Sequence, residues 1–367
     1  MNDSNFIKDI GRSYIVSSFL PAVLFVSMGV SVFRGFAPEI VVLRVGEKNV
    51  FFASQLFYFF AFTSWLAFGL YSISDSTVRF FEGYYFPSWI SKPMISFLGR
   101  KYQKMKENIQ PVLDTIESKQ AEELTIDELL DFSDQREKAK YDYFNLETIA
   151  PVDNKQLLPT RIGNILRASE LYPSEKYSVP GVMLWPRLLQ LIPKDLKDQL
   201  EEKNNQMVFT LNSSLLAYLI GLVSIVLGLT RLLIQVSFGY DTSIPPNFFD
   251  RGFANLSPYE YIIIGTIFVV GGYIAYCLSI PIVENFGLLV RASFDLYRFE
   301  LLRKLNHPIP TSIQEEKNFW EKISEYMIAG DRLGFQSVEI NYSIRKELLD
   351  YELPVKKRSW CRKKVSI

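Results

Sequence analysis

Residues 207–236 read MVFTLNSSLLAYLIGLVSIVLGLTRLLIQV. The run is apolar for longer than the ~20 residues a helix needs to cross the hydrocarbon core of a bilayer. It is continuously apolar rather than alternating, which predicts a helix and not a barrel strand. Three other stretches share the texture: Ser13 to Phe33, Phe51 to Ile73 and Tyr259 to Ile282. Short loops join the first to the second and the third to the fourth, with a polar third of the chain between the pairs. The expected fold is mainly α, a polytopic membrane protein with four transmembrane helices in two hairpins and a helical cytoplasmic domain between them. The expected boundaries are 1–75 for the first hairpin, 76–206 for the cytoplasmic domain, 207–283 for the second hairpin, and 284–367 for a helical extension and basic tail.

The chain has 367 residues, 48% of them hydrophobic and 15% aromatic, and 40 basic residues balance 40 acidic ones. A zero net charge gives no global basic footprint, so nucleic acid is not an expected partner. The two cysteines, Cys277 and Cys361, fall in an apolar segment and a basic tail, which suits neither a disulfide nor an oxidising compartment. One histidine, His307, leaves no multi-histidine metal site, and no cofactor is expected. The first apolar run is longer than a signal peptide's core and lacks a small-residue exit, so it reads as an uncleaved span.

Basic residues set the orientation. Lys8 and Arg12 precede the first span; Arg79, Lys92, Arg100, Lys101, Lys104 and Lys106 follow the second; Arg291, Arg298, Arg303 and Lys304 follow the fourth. The hairpin loops are poorer, with Arg34, Arg44 and Lys48 in one and Arg251 in the other. Both termini and the middle domain are therefore expected in the cytoplasm, with the protein multi-pass in its membrane.

Ala217, Gly221, Ser224 and Gly228 recur at three or four residues and give the third span a smooth face for another helix. Packing within the second hairpin is the simpler use of that face; a homo-oligomer interface is the other. Pro21 sits inside the first span and predicts a kink there. No acid or lysine lies deep in any span, which argues against a coupled transporter.

In the polar third, Ile95, Leu98, Tyr102, Met105, Ile109, Val112 and Ile116 recur at helical spacing, and Pro111 predicts a bend. Thr125 with Glu128 forms a capping box that opens a second helix to about Leu146, so the two make an antiparallel pair. Residues 159–173 then read PTRIGNILRASELYP, and Leu184-Trp185-Pro186-Arg187-Leu188 follows shortly before the third span. Asn164 and Arg167 are three residues apart, as are Arg167 and Glu170, so these three can share one face of a helix whose first turn holds Arg161. Arginines at Arg161, Arg167 and Arg187 with Asn164 could bind a phosphate or carboxylate. The same side chains could instead dock this segment on Asp295 and Glu300 after the fourth span, with Arg298 beside them. Trp185 reads as an anchor where the chain re-enters the membrane.

These motifs resemble an uncharacterised family of bacterial four-helix integral membrane proteins, whose members read T-R-L-G-N-x-L-R-A-x-E-x-Y-P and then W-P-R-L. A second part of the resemblance covers 294–302, FDLYRFELL, and continues through Pro308, Pro310, Glu315, Glu316 and Trp320. The chain departs at Ile162, where the family has leucine, and at Ser169, where alanine is frequent. The resemblance implies the four-helix membrane fold and no activity.

Past the fourth span, Phe286, Leu289, Ser293, Tyr297, Leu301 and Leu305 predict that the helix runs on. Ser312 with Glu315 predicts a helix to about Ala329, and the alternation from Val338 to Ile344 predicts a short strand. The basic cluster from Lys356 to Lys364 predicts contact with anionic lipid.

Enzyme chemistry is not expected: the chain has no P-loop, nucleophile elbow, H-E-x-x-H helix or C-x-x-C pair. The expected function is that of a membrane-anchored assembly or signalling component whose cytoplasmic domain binds a ligand or partner. The alternative is an oligomeric ion channel gated by that domain.

Overall fold

The computed structural model describes residues 13–33, 48–118, 126–238, 257–305 and 307–329. The described residues are mainly helical, with no strand among them. In order they form α1 (Leu20–Phe33, entered through a π-turn at Ile15–Phe19), α2 (Lys48–Ser72), α3 (Ser74–Glu82), α4 (Ser88–Ser118) and α5 (Ile126–Ile149). Then come α6 (Arg161–Tyr177), α7 (Gly181–Leu188), α8 (Lys194–Phe238), α9 (Pro258–Lys304) and α10 (Ile313–Ala329). The expected strand at Val338–Ile344 and the basic tail lie outside the described residues, as do both hairpin loops and Thr125.

Two helices, α8 and α9, are long and apolar enough to cross a membrane, and a third crossing is counted if α2 and α3 form one span. The second apolar segment does not run straight: Phe57–Ser72 and Ser74–Glu82 meet at a 58° bend. The first is a shorter apolar helix, Ile15–Gly29.

The chain divides into two compact units, residues 1–168 with 198–288 and residues 169–197 with 289–367. In the first unit, α8 and α9 run antiparallel in close contact. A Cβ added to Gly221 would lie 2.8 Å from the Gly265 carbonyl oxygen, and one added to Gly228 would lie 2.7 Å from the Pro258 carbonyl oxygen. The Ser214 hydroxyl donates to the Gly272 carbonyl at 2.8 Å. Ser214, Gly221 and Gly228 are thus seven residues apart on one helix and meet Gly272, Gly265 and Pro258, spaced alike, on the other. Seven residues is close to two turns, so one face of each helix carries the whole contact. The small-residue face read from the sequence is used within the chain.

The first apolar helix is tied to α8 by backbone chemistry. In a regular α-helix the Ser17 carbonyl would accept the N–H of residue 21, and Pro21 has none. The ladder widens here, with the Leu20 N–H reaching the Ile15 carbonyl. The Asn212 amide donates to the Ser17 carbonyl at 2.8 Å, with both residues buried. One turn earlier, the Ser13 hydroxyl donates to the Asn205 side-chain oxygen at 2.7 Å.

Also in this unit, α4 and α5 pack through Leu98, Tyr102, Ile109 and Leu146, closed by Ala150 and Leu157. The stripe expected on α4 is this core face. α4 is assigned as one helix through both Pro93 and Pro111.

Candidate functional site

Two polar constellations stand out, one in each unit. In the first unit the knot is built on the start of α6. Thr160 caps the helix: its hydroxyl accepts from the Gly163 N–H at 3.0 Å and donates to the Glu82 carbonyl at 3.1 Å. Asn164 is fully buried. It accepts from the Leu158 N–H at 2.7 Å and donates to the carbonyls of Leu158 at 2.9 Å and Thr160 at 2.8 Å.

Glycine is required on both sides of this knot. Gly83 ends α3 at φ +92°, and the Tyr84 N–H reaches back to Arg79 as the Gly83 N–H does to Phe80. A Cβ on Gly163 would sit 2.4 Å from the Glu82 carbonyl oxygen. The Gly163–Asn164 pair therefore seats α6 against the end of α3, and both polar atoms of the Asn164 side chain bond the backbone just before the helix. Burial pushes the Tyr102 hydroxyl up to about 12, against the nearby Arg161 charge and a hydrogen bond with Asn164.

Of the other expected residues in this unit, Arg161 is exposed on the first turn of α6. Arg167 is half-buried and donates to the Gln156 side chain at 3.1 Å.

In the second unit the cluster centres on Asp295 of α9. Its carboxylate accepts from the Tyr172 hydroxyl at 2.9 Å and the Tyr177 hydroxyl at 2.6 Å, and Lys176 lies 3.5 Å away. The Lys176 ammonium also bonds the Tyr172 hydroxyl and stands over both tyrosine rings. Tyr172 and Lys176 are four residues apart, so one face of α6 presents both. One turn along α9, Arg298 pairs with Glu316 of α10 at 2.7 Å, with only 14% and 5% of the two side chains exposed. Its guanidinium stacks on the Tyr177 ring at 4.1 Å and donates to the Asp295 carbonyl at 2.5 Å. Arg291 stands over the Tyr172 ring at 4.8 Å.

Burial pushes the Tyr172 phenol up to about 12; Lys176 pulls it down and the Asp295 carboxylate pushes it further up. Tyr177 is raised for the same reasons. Burial works against the Lys176 charge, but its bonds to the two phenols and the Asp295 charge outweigh it and hold the ammonium above an ordinary lysine. At neutral pH the cluster is a carboxylate held by two neutral phenols and an ammonium, next to a buried arginine–glutamate pair.

Asp295 and Arg298 stand one turn apart on α9 and have different neighbours. Tyr172, Lys176 and Tyr177 serve Asp295, and Glu316 serves Arg298. Glu300 pairs with Arg303 at 2.7 Å in the open. Arg187 is exposed and donates to the Met183 carbonyl of its own helix at 2.8 Å. Glu170 is exposed, and its backbone carbonyl lies against Gly181. The Trp185 ring packs on Phe294 at 5.8 Å instead of standing alone as an anchor. A signal for the tyrosines did exist in the sequence: two phenols and a lysine within six residues, ahead of a lone aspartate in the post-span helix. No group of metal-binding side chains is found among the described residues.

No family model, no curated protein and no solved structure matches the chain.

Proposed function

We propose that this is a multi-pass membrane protein with four spans in two hairpins and both termini in the cytoplasm of a bacterial inner membrane. On this reading it is a membrane-anchored assembly or signalling component, not an enzyme, and its cytoplasmic part binds a ligand or partner. One observation carries the reading. α8 and α9 have 45 and 47 residues, about 68 and about 70 Å at 1.5 Å per residue, against ~30 Å of hydrocarbon. Each helix is apolar for only part of its length. A single unbroken helix carries both the apolar stretch from Tyr259 to Ile282 and the charged residues Asp295 and Arg298. A helix of this double character suits a protein that links events in the bilayer to events beside it, and Pro281 lies within it near the end of the apolar stretch.

On this reading Arg161, Arg167 and Arg187 each supply positive charge toward an anionic ligand or partner. The test compares wild type with an Arg167→Ala, Arg187→Ala double variant of equal thermal stability. Loss of partner or ligand capture supports the reading; unchanged capture sinks it. Native mass spectrometry from mild detergent addresses the ion-channel alternative. Four helices seldom enclose an aqueous path alone, so a monomer or dimer removes the channel, and a closed ring of subunits favours it.

A further inference from the structure

The helix after the second apolar stretch, α4, has an outer face that neither the Asp295 cluster nor the Asn164 knot uses. α4 buries Leu98, Tyr102 and Ile109. On the opposite side, at steps of four, stand Trp89, Pro93 and Phe97, with Trp89 76% and Phe97 65% exposed. Further along the same face come Arg100 and Lys104, flanked by Lys92 and Lys101, all exposed. The turn that leads into α4 adds Tyr84 and Tyr85, each more than half exposed. The helix is therefore aromatic on its outer side for two turns and basic for the next, up to Glu107.

Its height is fixed by what precedes it. Phe81 stacks on Tyr276 with ring centroids 6.0 Å apart. It shares a buried cluster with Met207 and Leu211, at the start of the apolar stretch of α8, and with Ile280 and Val283, at the end of that of α9. Phe81 thus lies level with the ends of the apolar stretches, and Trp89 follows eight residues later. Tryptophan and tyrosine concentrate at that depth in bilayers because their rings are apolar and their N–H and O–H groups need water.

We propose that the outer face of α4 lies on an anionic phospholipid surface, with Trp89, Pro93 and Phe97 at the headgroup level and Lys92, Arg100, Lys101 and Lys104 against lipid phosphates. The inference rests on the membrane reading above. It names a lipid-binding surface distinct from the C-terminal basic cluster. Cations near an anionic leaflet are drawn to it, and a helix with one aromatic and one basic stretch lies in the interface plane.

The experiment uses the full chain in nanodiscs made with acyl-brominated phosphatidylcholine, with and without phosphatidylglycerol, and reads tryptophan quenching. The Trp89 signal is the difference between wild type and Trp89→Phe; the Trp65 signal, from Trp65→Phe, reports the apolar helix itself. Expected is Trp89 quenching by brominated lipid that grows with phosphatidylglycerol. Replacing the four cations by glutamine should lower the docked-to-free ratio about fivefold for each. Trp89 quenched by aqueous iodide and not by lipid overturns the proposal. Trp89 shielded from both also overturns it, because a protein then covers the face. Trp65 untouched by brominated lipid defeats the membrane reading itself, whereas quenched Trp65 with unquenched Trp89 defeats only this inference.

Discussion

Helix α9 is held by opposite means along its length. From Pro258 to Gly272 its neighbour is α8, and the contact is made by absence: glycine meets glycine, and backbones approach too closely for a Cβ. From Arg291 to Arg298 it is held by charge, phenols and a buried ion pair. The difference follows from the surroundings each stretch is suited to. Lipid tails are as apolar as leucine, so helices there gain little from hydrophobic burial and associate by close packing and interhelical hydrogen bonds. Outside that layer, a directional polar cluster can fix one arrangement. It does so at a desolvation cost, and it becomes sensitive to the loss of any one member.

The comparison can be broken most severely at Arg298. Arg298→Ala leaves Glu316 as a buried, uncompensated charge, and thermal unfolding in detergent should show a loss of about 3–5 kcal/mol. Replacing both partners by apolar residues, Arg298→Met with Glu316→Leu, should recover most of that. If the double variant is as unstable as the single one, the pair matters for its hydrogen bonds and stacking more than for its charge.

The glycine contact should yield less. Gly265→Val drives a side chain into the Gly221 carbonyl and Ile225, and overpacking of that kind costs about 1–3 kcal/mol. Gly271, which has nothing within 4 Å of an added Cβ, is the control. Gly271→Ala should change the unfolding midpoint little. Equal losses at the two positions would mean that the seven-residue register is not what holds the helices.

Smaller again is the link between α1 and α8. Asn212→Leu removes the donor to the Ser17 carbonyl, and hydrogen bonds between membrane helices average about 0.6 kcal/mol, with a maximum near ~1.7. In a Pro21→Ala background residue 21 regains its N–H, so the same Asn212→Leu change should cost less. A double-mutant cycle with no coupling would separate the proline from the asparagine.

The smallest effect is a matter of pH. Tyr172 is raised to about 12 because the folded cluster favours the neutral phenol. A group whose folded value is raised contributes stability below its unfolded value, near ~10 for tyrosine, and loses it as pH climbs through the folded one. Ultraviolet difference titration of wild type against Tyr172→Phe should therefore place this phenol's ionisation near the top of the alkaline range. A phenol titrating at the ordinary value would mean that Asp295 does not face it in solution.

These cases also mark how far the sequence carries. Apolar length alone announced α8 and α9, and the small-residue spacing announced the face by which they meet. Capping residues announced α10, where the Glu315 N–H takes the Ser312 hydroxyl at 3.2 Å. The 58° break after Ser72 carries no proline or glycine at the bend and went unread. Pro21 was legible as a fault in a helix, but its remedy, Asn212, is a tertiary partner that local spacing cannot reveal. Asp295 and Arg298 were legible as charges on a post-span helix. Their neighbours were misassigned because arginine is the habitual partner of a carboxylate, and phenols leave no mark in a charge pattern.

The bond between Asn212 and Ser17 also has a dimension in time. The two residues stand 195 positions apart. At ~5–20 residues per second of synthesis, the first apolar helix waits about 10–40 s for its donor. Until then the carbonyl that proline leaves without an N–H must be satisfied by water, or by whatever machinery receives the nascent chain. The first apolar helix thus gains its Asn212 bond only after α8 has been made.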